Sequence, residues 1–292
     1  MVAAKTAARF SRWTKPDTIL RTNPVITYAK RVLLVSLLLA VSACTRFNTS
    51  SLLPSTTQPE HLTVKVIAKI SHDTTAFTEG LVWADGKLYE SAGLYSQSTL
   101  REVDAQTGKV LRKTALPAKY FAEGLSLVGS NLIQLTWQEH TAFVYDRSTL
   151  SQISAFTYTG EGWGQCYDGT QIYMSDGSAT ITVRDPKTFS VVRQFQVTEA
   201  SKPIDQLNEL ECVGDLLYEN VWHSNNILEI DKLTGVVTAV IDASELLTSQ
   251  EATTATSEGV LNGIAYDTQK QDFIITGKQW PWMFEVQFVE AS

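Results

Sequence analysis

From Leu62 onward the chain repeats one unit of short, alternating, β-rich runs that are separated by Asp-Gly and Thr-Gly turns. Each unit opens on a brief apolar strand, and these strands begin near Gly80, Gly124, Gly164, Leu210 and Gly263. The starts lie about 40 to 53 residues apart, which matches the period of four-stranded propeller blades. The sequence therefore predicts an all-β fold, a five-bladed β-propeller with four-stranded antiparallel blades.

The last unit is incomplete, and one strand at the N-terminal end has no partner. The fifth unit ends after three strands, near Val289, while residues 63–70 form an additional strand ahead of the first unit. We expect this N-terminal strand to complete the last blade and close the ring, because closure removes an exposed sheet edge. Outside the strands, only residues 243–248 have helical character.

The N-terminal segment is typical of an export signal. Lys30 and Arg31 precede an apolar stretch, residues 32–43, that is too short to cross a bilayer as a helix. The stretch ends in Leu39-Ala40-Val41-Ser42-Ala43-Cys44, which is similar to the lipobox of bacterial lipoproteins. We therefore predict a lipoprotein-type signal segment over residues 1–43, lipidation of Cys44, a flexible tether over 44–61 and the propeller over 62–292. The alternative is an ordinary small-residue cleavage site with an incidental cysteine.

Charge and flanking residues set expectations for location and partners. Thr45, rather than Asp, follows the cysteine, which in lipoproteins of this kind favours the outer membrane. We expect an exported, periplasm-facing monomer that is held to the membrane by its lipid anchor alone. The formal net charge is −7, and residues 1–43 carry seven of the basic residues. The part of the chain after residue 43 is therefore more acidic than the whole, which argues against nucleic acid as a partner.

Two cysteines remain in the predicted propeller, Cys166 and Cys212. Aligning the repeats places them at corresponding positions of neighbouring blades, about one sheet spacing of ~10 Å apart. That separation exceeds the reach of a disulfide. The alignment therefore predicts two free, buried thiols.

Polar and aromatic residues stand just before each first strand, where the chain passes near the ring axis. They include Phe77, Glu79, Phe121, Glu123, Trp163, Asn208 and Asn262. The second strands of three units lead into Trp137, Trp222 and Lys278. Each has a structural explanation when taken singly, since Glu-Gly can close a turn, Trp can fill gaps between blades and Lys278 can pair with an acid at the surface. Their joint placement at one end predicts a polar, tryptophan-walled pocket.

Several strings in this pattern resemble the plant and bacterial type of glutaminyl-peptide cyclotransferase, in order and from about Val64 to Val286. The strings are Phe77-Thr78-Glu79-Gly80-Leu81, Glu90-Ser91-Ala92-Gly93-Leu94-Tyr95, Tyr120-Phe121-Ala122-Glu123-Gly124-Leu125, Gly162-Trp163-Gly164, Leu207-Asn208-Glu209-Leu210-Glu211, Asn220-Val221-Trp222, Val260-Leu261-Asn262-Gly263-Ile264-Ala265 and Thr276-Gly277-Lys278-Gln279-Trp280-Pro281. The resemblance implies a five-bladed fold and closure of N-terminal glutamine to pyroglutamate, with release of ammonia and without a metal. Glu79 departs from the plant enzymes, which have glutamine there, and is similar to the bacterial pattern.

The resemblance also implies a set of site residues, namely Phe77, Glu79, Phe121, Glu123, Trp137, Trp163, Asn208, Trp222 and Lys278. Our hypothesis is that Glu123 takes a proton from the attacking amine and returns it to the leaving nitrogen, while Glu79 orients the amine. Lys278 and Asn208 would stabilise the oxyanion. The aromatic residues would form walls that fold the glutamine side chain back onto its own amine.

Two other functions remain open at this point. One is a metal-dependent, lactonase-like propeller hydrolase in which Glu79, Asn208 and Asn262 hold a divalent ion; the other is a non-catalytic envelope lipoprotein scaffold. The four histidines, His61, His72, His140 and His223, show no metal-ligand spacing, and we expect them on the surface or in loops. The sequence thus predicts that no cofactor is required, and it leaves room for a structural divalent cation near the acidic axis.

Overall fold

The computed structural model describes residues 58–254 and 257–291. The predicted signal segment, Cys44 and most of the tether lie outside these residues. The described part begins with strand β1 (Glu60–Ser71), which starts slightly ahead of the predicted N-terminal strand. Within it no helix is long and apolar enough to cross a membrane.

Three separate sheets follow, each with four antiparallel strands in sequential order. The first holds β2 (Thr78–Ala84), β3 (Lys87–Ala92), β4 (Thr99–Asp104) and β5 (Val110–Ala115). The second holds β6 (Ala122–Val128), β7 (Asn131–Thr136), β8 (Thr141–Asp146) and β9 (Ser151–Thr157). The third holds β10 (Gln165–Tyr167), β11 (Ile172–Met174), β12 (Thr180–Arg184) and β13 (Val191–Gln196). A two-stranded ribbon, β14 (Thr198–Glu199) and β15 (Lys202–Pro203), leads onward.

The remaining strands form one eight-stranded sheet that joins two four-stranded sets. Its later members are β16 (Leu207–Val213), β17 (Leu216–Val221), β18 (Asn226–Asp231), β19 (Val237–Asp242), β20 (Leu261–Asp267), β21 (Asp272–Gly277) and β22 (Trp282–Glu290). The strand order is β16-β17-β18-β19-β1-β22-β21-β20. β1 therefore pairs antiparallel with β22 and, over a shorter stretch, parallel with β19. The all-β prediction with four-stranded antiparallel sheets is confirmed.

The sequence specifies the third hairpin of the first four units in the same way. In each, an aspartate Oδ1 accepts hydrogen bonds from the backbone N–H and the hydroxyl of a threonine three residues later, which closes the turn. The pairs are Asp104 with Thr107, Asp146 with Thr149, Asp185 with Thr188 and Asp231 with Thr234. Because these turns recur once in each of the four units, they contribute to the repeat that is visible in the sequence.

The core lies between neighbouring sheets rather than in one central mass. Each of five buried apolar clusters draws residues from two consecutive four-stranded sets. One cluster packs Leu81 and Leu88 of the first sheet against Ala265 and Ile274 of the last set. The first and last sets are thus packed against each other, as the other neighbours are.

The first strands converge closely where the sheets meet. A Cβ at Gly124 would lie 2.6 Å from the backbone nitrogen of Gln165 in the next sheet, so only glycine fits there. The carboxylate of Glu209 occupies this region and accepts backbone N–H groups from Leu81, at 3.3 Å, and from Ile264, at 2.6 Å. One buried side chain therefore links the first strands of three different sets.

The prediction of two free thiols is wrong. Cys166 and Cys212 form a disulfide, with Cα atoms 5.5 Å apart. In the ladders Cys212 occupies the position that Tyr167, and not Cys166, occupies in β10. A one-residue offset turns a strand side chain to the opposite face, so the two sulfur atoms face each other across neighbouring sheets. The convergence of the first strands brings them within bonding distance.

The helical prediction is displaced along the chain. Residues 243–248 form turns, and the helix α1 spans Ser249–Thr254. Thr248 precedes it as the N-cap, since its backbone N–H donates to Glu251 Oε2 at 2.8 Å and the N–H of Glu251 donates to Thr248 Oγ1 at 3.3 Å. This reciprocal capping box sets where the helix begins.

Candidate active site

The structure brings all nine predicted site residues into a single pocket of about 240 Å³. The lining consists of Phe77, Glu79, Phe121, Glu123, Trp137, Trp163, Asn208, Trp222 and Lys278, together with Glu258. The sequence had not singled out Glu258, because the motif that follows it begins at Val260. The pocket lies at the ends of the sheets where the first strands start and the second strands finish.

Irregular strand pairing aims the polar residues into this pocket. Four of the first strands contain a β-bulge at the pocket end, and bulges re-aim side chains beside active sites. Each bulge contains one polar residue of the predicted pattern: Glu79, Glu123, Asn208 or Asn262. The bulges interrupt the regular alternation of side chains at these positions, and three of the four residues, Glu79, Glu123 and Asn208, line the pocket.

Two carboxyl groups and one ammonium group meet in the pocket, and all three are buried. Lys278 Nζ donates to Glu79 Oε1 at 2.7 Å, and Asn262 Nδ2 donates to Glu79 Oε2 at 3.0 Å. Burial raises the pKa of Glu123 well above its ordinary value, and the neighbouring charge of Glu79 raises it further. Burial also raises the pKa of Glu79, while the Lys278 ammonium opposes this effect. Glu123 is therefore the group of the pair that holds its proton to higher pH, and Glu79 is the one whose ionised form a cation stabilises.

Aromatic rings form the walls in two groups. Phe121 contacts Phe77 and Trp137, with ring centroids 6.1 and 5.8 Å apart, and Trp163 meets Trp222 edge to face at 5.5 Å. Lys278 Nζ also lies 4.7 Å from the centroid of the Phe77 ring, a cation–π contact that helps to hold the ammonium group. The aromatic rings thus give the pocket apolar walls, and Glu79, Glu123 and Lys278 form one buried polar group within it.

Asn208 presents an unused polar group to the pocket. Its backbone oxygen accepts a hydrogen bond from Ser175 Oγ at 2.6 Å, which fixes the main chain. Its side-chain Oδ1 is buried and has no hydrogen-bond partner within the described part of the chain. A buried amide of this kind is costly unless a ligand completes it. Because the amide nitrogen and oxygen exchange places on a flip, Asn208 can offer either a donor or an acceptor.

His72 lies in the loop between β1 and β2, in agreement with the expectation that the histidines lie on the surface or in loops, but it is not at the surface. This residue is buried, with Nε2 2.8 Å from Glu90 Oε1 and Nδ1 2.8 Å from the backbone oxygen of Trp280. Thr78 Oγ1 donates to the same Glu90 oxygen at 2.7 Å. His72 thus links two segments next to the pocket. It contacts Trp280, two residues after Lys278, and it shares Glu90 with Thr78, the residue before Glu79.

The contacts of Glu79 do not fit the ligand set of a metal-dependent hydrolase. Its two oxygens are taken by the Lys278 ammonium and the Asn262 amide nitrogen, and a cationic donor in that place repels a metal ion. Over residues 58–254 and 257–291, no group of three or more His, Cys, Asp or Glu side chains is arranged to hold a metal.

The sheets and the pocket define the chain as an all-β protein of the propeller type with an enclosed acid-base site. Residues 34–288 match the family model described as glutamine cyclotransferase. The chain is 37% identical over 231 residues to the glutaminyl-peptide cyclotransferase of Arabidopsis thaliana. The aligned region covers 78% of this chain and 72% of that protein. It superposes on the crystal structure of Myxococcus xanthus glutaminyl cyclase with a TM-score of 0.76 and 38% identity, covering 80% of this chain and 100% of that one. The chain belongs to the glutamine cyclotransferase family.

Proposed function

We propose that this chain is a glutaminyl-peptide cyclotransferase, which closes the N-terminal glutamine of peptides and proteins to pyroglutamate and releases ammonia. The observation that carries the proposal is the buried group of Glu79, Glu123 and Lys278 inside an aromatic pocket. Membership of the glutamine cyclotransferase family supports the same activity. The pocket volume of about 240 Å³ also suits the binding of a single side chain rather than the docking of a protein surface.

The charges of the pocket suit a neutral amine nucleophile. With Glu123 protonated, the charges of Glu79 and Lys278 cancel, so this buried group does not by itself favour the ammonium form of the substrate. An N-terminal amine has a pKa of about 7.7 to 8.0, and a useful fraction is therefore neutral near neutral pH. The neutral amine nitrogen attacks the side-chain amide carbon, a carbon–nitrogen bond forms, and the carbonyl oxygen becomes an oxyanion.

Proton transfer then decides which nitrogen leaves. The attacking nitrogen loses one proton to the carboxyl pair, and Glu123 delivers one proton to the amide nitrogen. The oxyanion then re-forms the carbonyl as the carbon–nitrogen bond breaks and ammonia departs, so the carboxyl pair ends with as many protons as it began with. Lys278 and Asn208 are the groups placed to stabilise the oxyanion. The aromatic walls hold the side chain folded back, so the ring closes from a bound, aligned conformation. No step requires a metal.

The test is ammonia release from a glutaminyl dipeptide by a soluble domain that starts near Thr45. We expect release that resists a chelator and that falls about 10²- to 10⁴-fold in the Glu123→Gln variant. Glu290→Gln, which alters an exposed carboxylate at the end of β22, is the matched control and should release ammonia at the wild-type rate. Chelator-sensitive turnover would instead indicate the metal-dependent hydrolase, and a folded domain without release would indicate the scaffold.

Export and lipidation belong to the same proposal. The lipobox-like sequence that ends in Cys44 supports lipid anchoring, and the Cys166–Cys212 disulfide supports residence in an oxidising compartment such as the periplasm. The Thr45 signal favours the outer membrane. Cys44→Ala should move the protein from the membrane fraction to the soluble fraction; an unchanged distribution would contradict lipidation at this residue.

The proposed architecture is a monomeric five-bladed ring in which β1 supplies the outer strand of the last blade. The long antiparallel ladder between β1 and β22 and the apolar cluster between the first and last sets support this arrangement. Size-exclusion chromatography with light scattering checks the monomer, and a dimer mass would contradict it.

A further inference from the structure

One carboxylate outside the predicted set holds two walls of the pocket together. Glu161 Oε2 accepts the indole N–H of Trp137 at 2.8 Å and the indole N–H of Trp163 at 3.0 Å. Its other oxygen accepts Gln138 Nε2 at 2.8 Å. Trp137 follows β7 of the second sheet, and Trp163 precedes β10 of the third. Glu161 therefore connects aromatic walls that belong to neighbouring sheets.

The chemistry of this contact favours an ionised carboxylate. Burial acts to raise the pKa of Glu161, but hydrogen bonds from Trp163, Gln138 and Trp137 outweigh it and hold the pKa below its ordinary value. An ionised acceptor makes shorter and stronger hydrogen bonds than a neutral one. Indole has a single polar atom and only donates, so the orientation of each ring about its long axis depends on where this acceptor lies.

The surroundings of Trp163 show that its ring is fitted to one orientation. A Cβ at Gly177 would lie 2.6 Å from the ring, so the ring packs directly on the main chain there. On another side it meets Trp222 edge to face at an interplanar angle of 90°. Packing thus fixes the position of the ring, and the hydrogen bond to Glu161 fixes the direction in which the indole N–H points.

We propose that Glu161 is a positioning residue for the glutamine side chain, because it orients the indoles of Trp137 and Trp163 that form the pocket walls. It acts through the two tryptophans and does not contact the reacting atoms. The inference rests on the proposed function, since it assigns these walls to glutamine. Without the acceptor, both N–H groups would turn toward water, and the walls would no longer match the folded side chain.

Kinetics of the soluble domain separate this role from a general structural one. In Glu161→Ala we expect the KM for a glutaminyl dipeptide to rise by about tenfold or more, a loss of about 1.4 kcal/mol of binding per tenfold, with a smaller fall in kcat. Glu161→Gln keeps an oxygen that accepts both indoles, and we expect it to stay within about threefold of wild type. Glu290→Ala, which removes an exposed carboxylate elsewhere, should leave KM unchanged.

Two kinetic outcomes would overturn the proposal. An unchanged KM in Glu161→Ala would show that the walls do not need this acceptor. Equal impairment of Glu161→Gln and Glu161→Ala would show that the negative charge matters, rather than the acceptor geometry.

A spectroscopic arm does not depend on turnover. Near-ultraviolet circular dichroism reports the fixed environment of tryptophan rings, and we expect the bands to weaken in Glu161→Ala and to recover in Glu161→Gln. Unaltered spectra in Glu161→Ala would overturn the proposal. If the wild-type domain releases no ammonia, the proposed function fails, while the spectra still decide whether Glu161 fixes the indoles.

A second variant covers the case in which Glu161→Ala does not fold. Trp163→Phe keeps an aromatic ring but removes the donated N–H. We expect it to raise KM, because the ring loses the hydrogen bond to Glu161 that orients it. A wild-type KM in Trp163→Phe would contradict the role of this hydrogen bond.

Discussion

Glu79 and Glu123 lie close enough to influence each other, and only one of them has a cation in direct contact. Lys278 opposes the rise that burial causes in the pKa of Glu79, whereas burial and the charge of Glu79 both raise the pKa of Glu123. A carboxyl whose folded pKa is raised stays protonated to higher pH, and it loses its proton as the pH rises through that value. Activity that needs protonated Glu123 is therefore lost on the alkaline side, and the ionisation of Glu79 sets the acid side.

Removing Lys278 should move the acid side of the pH profile. In Lys278→Met the pKa of Glu79 loses the influence that lowers it, so more alkaline conditions are needed to ionise this group. We expect kcat/KM to fall at every pH and its acid limb to shift to higher pH. Lys270→Met, which removes a part-buried ion pair with Glu285 outside the pocket, is the control. An acid limb that stays in place would argue that Glu79 does not set it.

The sequence predicted the residues that touch the pocket better than the residues that support them. Glu79, Glu123 and Asn208 stand at equivalent points of the repeat, so the alignment alone placed them together. Glu161 lies in one of the same loops, but its role depends on the distance between two sheets, which no sequence pattern gives. The buried contact of His72 was not predicted for a similar reason, because its partner Glu90 belongs to β3 of the first sheet.

The first strands are the elements that make the site possible. They combine a bulge at the pocket end with glycines that allow backbone-to-backbone contact further along. The bulges aim polar groups inward, and the close contact keeps those groups within hydrogen-bond distance. The bulges and the close backbone contacts both occur where the first strands of neighbouring sheets approach one another.

Gly124→Ala tests this convergence. The added Cβ would meet the backbone of Gly164 and Gln165 at 2.6–2.7 Å, and backbone cannot rotate away as a side chain can. We expect a loss of about 1 to 3 kcal/mol in the free energy of unfolding, measured by urea denaturation. Gly129→Asn is the control, because Gly129 has open space around it and asparagine tolerates its positive φ of 61°. Equal stability of the two variants would contradict the prediction.

Strands and turns were easier to predict than the boundaries between them. Asp-Gly and Thr-Gly turns are local signals, and together with the repeat period they located the hairpins. The helix was misplaced because its start depends on a cap at Thr248 rather than on the apolar residues before it. The cysteines were misjudged through a one-residue error in aligning β10 with β16, which reverses the direction of a side chain.

At the scale of the whole molecule, the disulfide joins two sheets that are also held by an apolar cluster, by a hydrogen bond from Ser175 to Asn208 and by an ion pair between Lys232 and Asp168. The cysteines are 46 residues apart, and closing a loop of that length restricts the unfolded chain. The chain-entropy model gives about 4 kcal/mol for such a link.

Reduction should therefore lower the stability of the soluble domain substantially. We expect the Cys166→Ala/Cys212→Ala double variant to unfold at a lower urea concentration, with a loss of about 2 to 5 kcal/mol, and to be insensitive to dithiothreitol. The oxidised domain starting near Thr45 should show no thiol toward a thiol reagent until it is unfolded and reduced. Reactive thiols in the untreated protein would argue against the disulfide.

The direction of β1 determines how a bulky substrate can approach. This strand runs antiparallel to β22, with Leu62 opposite Glu290 and Ser71 opposite Trp282, so Glu60 lies at the end of the sheets that is remote from Lys278. The chain thus enters the domain on the side facing away from the pocket mouth. Another protein can therefore present its amino terminus head-on to the pocket without meeting residues 58–60, where the described chain begins.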